Sequence, residues 1–279
     1  MSFKIIVDSC CDLTAAQLHD GPFDMVPLTL SLAGEELIDN DNFDQTRMLK
    51  LMRDNTQPPQ TACPSPAQYM DAFEAANADD IYVITLSALL SGSHNSAAQA
   101  RALWLEDHPG AHIHIFNSCS AAAGEVVEAI KLKELAESGL DFETVVNEET
   151  RFISSQTTYF VLEDLDHLRK NGRLTGALSV LTEALRIKLL MGGTREGQIK
   201  KVGQALSVKQ ALSKMVSLMA ADPNHVGKTL SIVHVNNPDR AFYLNELVQK
   251  ACHFKEVLIS NARGVTTVYA NNGGVVAAF

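Results

Sequence analysis

Short runs of consecutive apolar, β-branched residues punctuate the first half of the chain, at 3–7, 81–86 and 112–116. Stretches with apolar residues at three- and four-residue spacing follow the later two, at 96–106 and 121–138. Period-two or fully apolar runs alternating with a 3.6-residue period predict βαβ units, hence a parallel sheet with helices on both faces. A polar, turn-like passage at 147–158 interrupts the pattern, and an apolar run at 159–162 restarts it. The second half predicts helices over 164–170, 178–185 and 208–220, and strands over 187–191, 230–235 and 265–269. The expected architecture is two-domain α/β, divided into residues 1–153 and 154–279, with a ligand cleft between the domains.

Composition agrees with two ordinary globular domains: 279 residues, nearly half of them hydrophobic and a fifth charged. The net charge of -10 disfavours nucleic acid and anionic membranes, because binding to either needs clustered cations. No run approaches a membrane span, and Met1-Ser2-Phe3-Lys4 leads directly into Ile5-Ile6-Val7 without a secretory apolar region, so a cytoplasmic protein is expected. Five cysteines (Cys10, Cys11, Cys63, Cys119, Cys252) form no C-x-x-C pair and read as reduced thiols.

Candidate chemistry gathers at predicted strand ends. Asp8-Ser9-Cys10-Cys11-Asp12-Leu13 follows the first strand, Leu90-Ser91-Gly92-Ser93-His94 opens a helix, and Asn117-Ser118-Cys119-Ser120 follows a third strand. Thr61-Ala62-Cys63-Pro64-Ser65-Pro66 adds a fourth hydroxyl-rich loop whose prolines stiffen the entry to a helix. Helix capping alone selects such residues, but four turns of this kind aimed at one crevice suggest a ligand.

Taken in order and spacing, these segments resemble the DegV family, which includes the fatty-acid-binding subunits of a bacterial fatty-acid kinase system. The resemblance extends through Phe116-Asn117-Ser118 to Gly124, the run from Leu165 to Arg173 containing Asn171-Gly172-Arg173, Ile187-Lys188 and the glycine-containing C-terminal segment. It implies a binding protein and no enzyme: one long-chain fatty acid, its tail buried between the domains, its carboxyl group presented to a separate kinase. Carried over, Thr61 and Ser91 would hold the carboxyl group, with Ser9, Ser93, Ser118 and Tyr269 as neighbours. Arg173 would be an exposed docking contact for the kinase. Leu178, Leu181, Leu185 and Ile187 are possible tail-lining residues, although at helical spacing a plain core explains them equally. The family has a histidine near the C-terminus, shortly before Gly-Pro-Gly; this chain reads Val268-Tyr269-Ala270-Asn271-Asn272-Gly273-Gly274, placing Tyr269 where the histidine would stand.

Other readings stay open: a different small carboxylate in the same cleft, a cysteine/histidine metal site using Cys10, Cys11, Cys63, Cys119 and His94, or a serine hydrolase with Ser91 or Ser93 beside His94. The cysteine spacings match no established metal motif, and the serine turn lacks G-x-S-x-G. No cofactor is expected: the chain has neither a Walker A nor a G-x-G-x-x-G fingerprint, and Gly192–Gly197 reads as a hairpin turn. Lys188, in an apolar strand, is expected to be paired and structural.

Overall fold

The structure, a computed structural model, describes residues 2–176, 178 and 187–279. Its first half contains β1 (Phe3–Asp8), α1 (Ala15–Asp20), β2 (Phe23–Val26), β3 (Thr29–Leu32), β4 (Glu35–Ile38), α2 (Gln45–Asp54), β5 (Gln60–Ala62), α3 (Pro66–Ala76), β6 (Asp80–Thr85), α4 (Ser93–Asp107), β7 (His112–Asn117) and α5 (Ala123–Glu137). After α6 (Phe142–Ser155) come β8 (Thr158–Val161), α7 (Asp166–Lys170), β9 (Lys188–Gly193), β10 (Ile199–Ala205) and α8 (Val208–Ala221). The chain ends with β11 (Thr229–His234), α9 (Pro238–Ala251), β12 (Glu256–Asn261), α10 (Gly264–Ala270) and β13 (Val275–Ala278).

The first sheet has strand order β2-β1-β6-β7 and is wholly parallel. Ile5, Ile6 and Val7 are all fully buried, as a strand covered on both faces requires. A small antiparallel sheet, β4-β3-β5, stands beside it. The second large sheet, β10-β9-β8-β13-β11-β12, is antiparallel apart from its β11–β12 pair. All strands of the first two sheets precede residue 153 and all of the last follow residue 154.

Helix α5 lies between the two large sheets, packing on β1 and β6 at one side and on β11 and β13 at the other. Its residues divide accordingly. Val126, Ala129 and Leu132 join Ile5, Val7 and Ile84, whereas Ala123 and Val127 join Phe160, Val233 and Val276. A helix apolar on both faces is a core helix, and this one makes the sheets share a core.

Two sequence expectations change. The passage at 147–158 is not a turn: α6 runs to Ser155, with Asp141 capping its start and Val145 and Val146 packed among the apolar residues of α5. The predicted strand over 265–269 is helix α10. Val265-Thr266-Thr267-Val268-Tyr269 carries strong strand propensity, but two carboxylates from the first half hold its backbone helical. Asp39 accepts from Gly264 N at 2.7 Å and Val265 N at 2.9 Å, while Asp12 accepts from Arg263 N at 2.6 Å and the Thr266 hydroxyl at 2.7 Å. The approach is tight at Gly264, where a Cβ would sit 2.6 Å from Leu30 Cδ1 and 2.7 Å from Asp39 Cγ. The predicted helix over 178–185 lies outside the described residues apart from Leu178. The Gly192–Gly197 expectation holds, since Thr194 to Gly197 turn the β9–β10 hairpin.

Burial raises the Asp12 carboxyl to about 7 and that of Asp39 to about 6, against the pull of their N–H donors and Arg263. Replacing Asp39 by alanine leaves two buried N–H groups without acceptors, at about 1–3 kcal/mol each. Asp39→Ala is therefore expected to lower unfolding free energy by about 2–6 kcal/mol in urea titrations, with the m-value retained.

Candidate functional site

The carboxyl ends of β1 and β6 and the loop after β7 meet α10 and the β8–β9 region around one internal cavity of ≈ 850 Å³, counting its open mouth. Most of its wall is apolar, with Leu28, Leu86, Phe160, Leu162, Ile199 and Val276 among the contributors. Cys119 and Ala122 border it with positive φ, 50° and 55°, although neither is glycine. Such strain persists only where surrounding contacts over-determine the backbone, and here the bent segment shapes the wall. The β9–β10 turn closes another side: Ser87 Oγ donates to Gly197 O at 2.9 Å, and a Cβ on Gly197 would lie 2.8 Å from Cys119 Cα.

One part of the wall is polar. Thr61 Oγ1 and Tyr269 OH hydrogen-bond at 2.8 Å, and the Arg173 guanidinium carbon stands 5.4 Å from the Tyr269 ring centre. Burial raises the Tyr269 phenol above its ordinary range, against the pull of the Thr61 bond and the Arg173 charge. Ser91 belongs to the same wall; its Oγ accepts from Ser93 N at 3.2 Å. The remaining wall hydroxyls have partners of their own, Ser120 with Thr158 at 2.7 Å and Thr266 with Asp12.

Thr61, Ser91 and Tyr269 thus line the same cavity. Ser9, Ser93 and Ser118 do not reach the wall: Ser9 accepts from Leu28 N, Ser93 donates to Asp8, and Ser118 closes a turn with Ser120. Arg173 departs from the exposed residue expected. It is half-buried, lines the cavity, and donates to Leu90 O at 3.1 Å and Asn171 O at 2.6 Å. Leu178 packs among the apolar residues around Phe160, Leu162 and Leu168, while Ile187 lies half-buried just before β9, and neither is part of the wall. Leu181 and Leu185 lie outside the described residues. Lys188 pairs with Glu163 at 2.6 Å, the structural role expected of it.

The hydrolase geometry is not formed, because His94 Nδ1 meets Thr85 Oγ1 at 3.3 Å while Ser93 is engaged by Asp8 and Tyr69. Among the described residues, no group of three or more His, Cys, Asp or Glu side chains is placed to hold a metal ion. No helix among them is long and apolar enough to cross a membrane.

These features define an α/β protein with two large sheets and a small third one, and a largely apolar cavity with a polar cluster on its wall. The family model described as "Uncharacterised protein, DegV family" matches residues 2–279, and the chain belongs to the DegV family. A DegV domain-containing protein of Streptococcus gordonii is 32% identical over 278 residues, 99% of this chain and 98% of that one. A DegV family protein of Ruminococcus gnavus, refined with vaccenic acid, superposes with TM-score 0.96 at 41% identity, covering 100% and 99% of the two chains. The Streptococcus pneumoniae Fatty Acid Kinase (Fak) B3 protein, loaded with linoleic acid, gives TM-score 0.91 at 30% identity, covering 100% and 99%.

The Thr61–Tyr269 bond is a direct test of the polar cluster. A double-mutant cycle of Thr61→Val and Tyr269→Phe, followed by urea unfolding, should return a coupling of about 1 kcal/mol. Strictly additive losses would mean that the two hydroxyls do not depend on one another.

Proposed function

We propose that this protein binds one long-chain fatty acid, buries its tail in the cavity and presents its carboxyl group to a separate kinase. The carrying observation is the combination of a largely apolar cavity with Thr61, Ser91, Tyr269 and Arg173 on its wall. The fatty acids in the Ruminococcus gnavus and Streptococcus pneumoniae structures support this choice of ligand.

The energetics suit that division. Transfer of a sixteen-carbon tail contributes on the order of 12 kcal/mol, at about 0.8 kcal/mol per methylene. Association costs of roughly 4–15 kcal/mol oppose it. Affinity therefore comes from the tail, and the head-group cluster discriminates, since burying a group that cannot pair with its donors leaves them unsatisfied. Arg173 adds the positive charge a carboxylate needs, and its planar group can donate to a carboxyl oxygen while its stem stays packed. Phosphoryl transfer is assigned to the kinase partner, and the binding protein supplies position and access rather than a catalytic base.

Native mass spectrometry of the purified protein, followed by organic extraction, is expected to show one fatty acid per chain. The double variant Thr61→Val/Ser91→Ala should weaken fatty-acid binding at least tenfold, the loss of about 1.4 kcal/mol, and leave binding of the matching fatty alcohol within about twofold. Unchanged fatty-acid affinity in that variant would sink the head-group assignment, and an empty or polar-ligand protein would sink the acyl reading.

A further inference from the structure

Asp8, at the end of β1, has no solvent exposure, and its carboxylate is committed as an acceptor three times. Oδ1 takes the Cys10 N–H at 3.0 Å; Oδ2 takes the Leu86 N–H at 2.9 Å and the Ser93 hydroxyl at 2.6 Å. Burial raises the Asp8 carboxyl, and these three donors pull it back toward the ionised form. Against Asp8 lies Glu125 of α5, also without solvent exposure and in hydrogen-bonding contact with it. With both carboxyls ionised, neither Glu125 oxygen would have a donor from the rest of the protein apart from the thiol of Cys10. Two adjacent buried charges of one sign would then be left uncompensated. A single proton on Glu125 removes both difficulties, converting the contact into an O–H···O bond from Glu125 to Asp8.

We infer that Glu125 is held as a neutral acid whose proton bridges to Asp8, and that this bridge positions the turn carrying Ser91. The proton directions then follow one another. Ser93 spends its hydroxyl proton on Asp8, so Tyr69 OH, 2.7 Å away, must donate to Ser93 Oγ. Ser93 N–H in turn donates to Ser91 Oγ, so that Ser91, on the cavity wall, keeps its own hydroxyl proton to donate. The titratable groups facing Glu125 are Asp8 on β1, Cys10 and Cys11 on the loop after it, Tyr69 on α3 and Glu128 on α5 itself. None is a cation, so nothing in this set would stabilise an ionised Glu125. Burial, with Asp8 and Glu128 adding like charge, holds the Glu125 carboxyl well above the usual range.

Glu125 acts through Asp8 and is a positioning residue. Its raised folded-state value makes its contribution to stability fully present below the unfolded pKa, about 4.3, and lost as pH rises toward the folded value. The variants are Glu125→Gln, whose amide can donate to Asp8 as the acid does, and Glu125→Ala, which cannot. In urea titrations from pH 5 to 8, the folding constant of the natural protein should fall about tenfold more per pH unit than that of Glu125→Gln, because one bound proton is removed. Infrared difference spectra of the natural protein minus Glu125→Gln at pH 7 should show the carbonyl stretch of a neutral carboxylic acid. Parallel pH profiles without that band would overturn the shared proton.

The positioning role rests on the acyl-binding reading and is read separately. Oleate affinity should drop about tenfold in Glu125→Ala and recover in Glu125→Gln; an affinity indifferent to Glu125→Ala overturns it. Should Glu125→Ala not fold, failure of Glu125→Gln to bind oleate overturns it, and retained oleate binding with the shallower pH profile supports it. A natural protein that takes up no fatty acid at all would instead dispose of the acyl reading, with the pH profile and infrared band still deciding the proton.

Discussion

Helix α5 has no solvent side over its first half, residues 123–129, and that constraint organises the molecule. Lying between two sheets, it must present apolar residues to both, as Val126, Ala129 and Leu132 do on one face and Ala123 and Val127 on the other. Its entry is correspondingly cramped. Gly124 has Ser120 Oγ where a Cβ would be, and Ala122 reaches the helix with φ of 55°. The same cramped segment, Cys119 to Ala122, is cavity wall, so the geometry that seats the helix also shapes the space beside it. Polar residues within 123–129 have no route to water. Glu125 and Glu128 are fully buried, and Glu128 is reconciled to its position by the amide of Gln156 at 2.7 Å.

The chain closes the cavity by long-range polar clamps rather than by contiguous sequence. Asp39 and Asp12, from the first fifth of the chain, hold the start of α10 near its end, and α10 delivers Tyr269 to Thr61. Arg173 reaches Leu90 O, binding the segment after α7 to the turn that carries Ser91. Each polar residue of the candidate site therefore comes from a different stretch of sequence, and the clamps set their separation.

That organisation explains what the sequence disclosed. The strands β1, β6 and β7 were legible because fully buried parallel strands are written as unbroken β-branched runs. Strands β2 to β5 were not, being three or four residues long and partly exposed. Helix α10 was misread because the residues enforcing it lie more than 220 positions away. Thr61, Ser91 and Tyr269 came from the family resemblance, their hydroxyls being indistinguishable by type from the caps and turn closers Ser9, Ser93 and Ser118. The wall leucines left no separate trace, because an apolar side chain facing a cavity and one facing a core occupy the same pattern. Burial of Glu125 and Glu128 was equally hidden, since acids three residues apart on a helix ordinarily mark a wet face.

Tyr269 bears on how the polar cluster would work with a carboxyl group in place. Its hydroxyl and that of Thr61 satisfy one another, so the cavity carries little penalty from unpaired polar groups. A carboxylate entering there would exchange this bond for bonds to itself, and the net gain would be the modest difference between charge-assisted and neutral hydrogen bonds. Burial keeps the phenol protonated through the neutral range, so this donor neither gains nor loses a proton near pH 7. A histidine at that position would titrate there and bring a charge of its own. With tyrosine, the positive charge in the cluster is that of Arg173, held by two backbone carbonyls and the face of the Tyr269 ring. Charge and hydrogen-bond donation are thus divided between two residues, and the donor can be matched to the carboxyl group without making its grip depend on the donor's own titration.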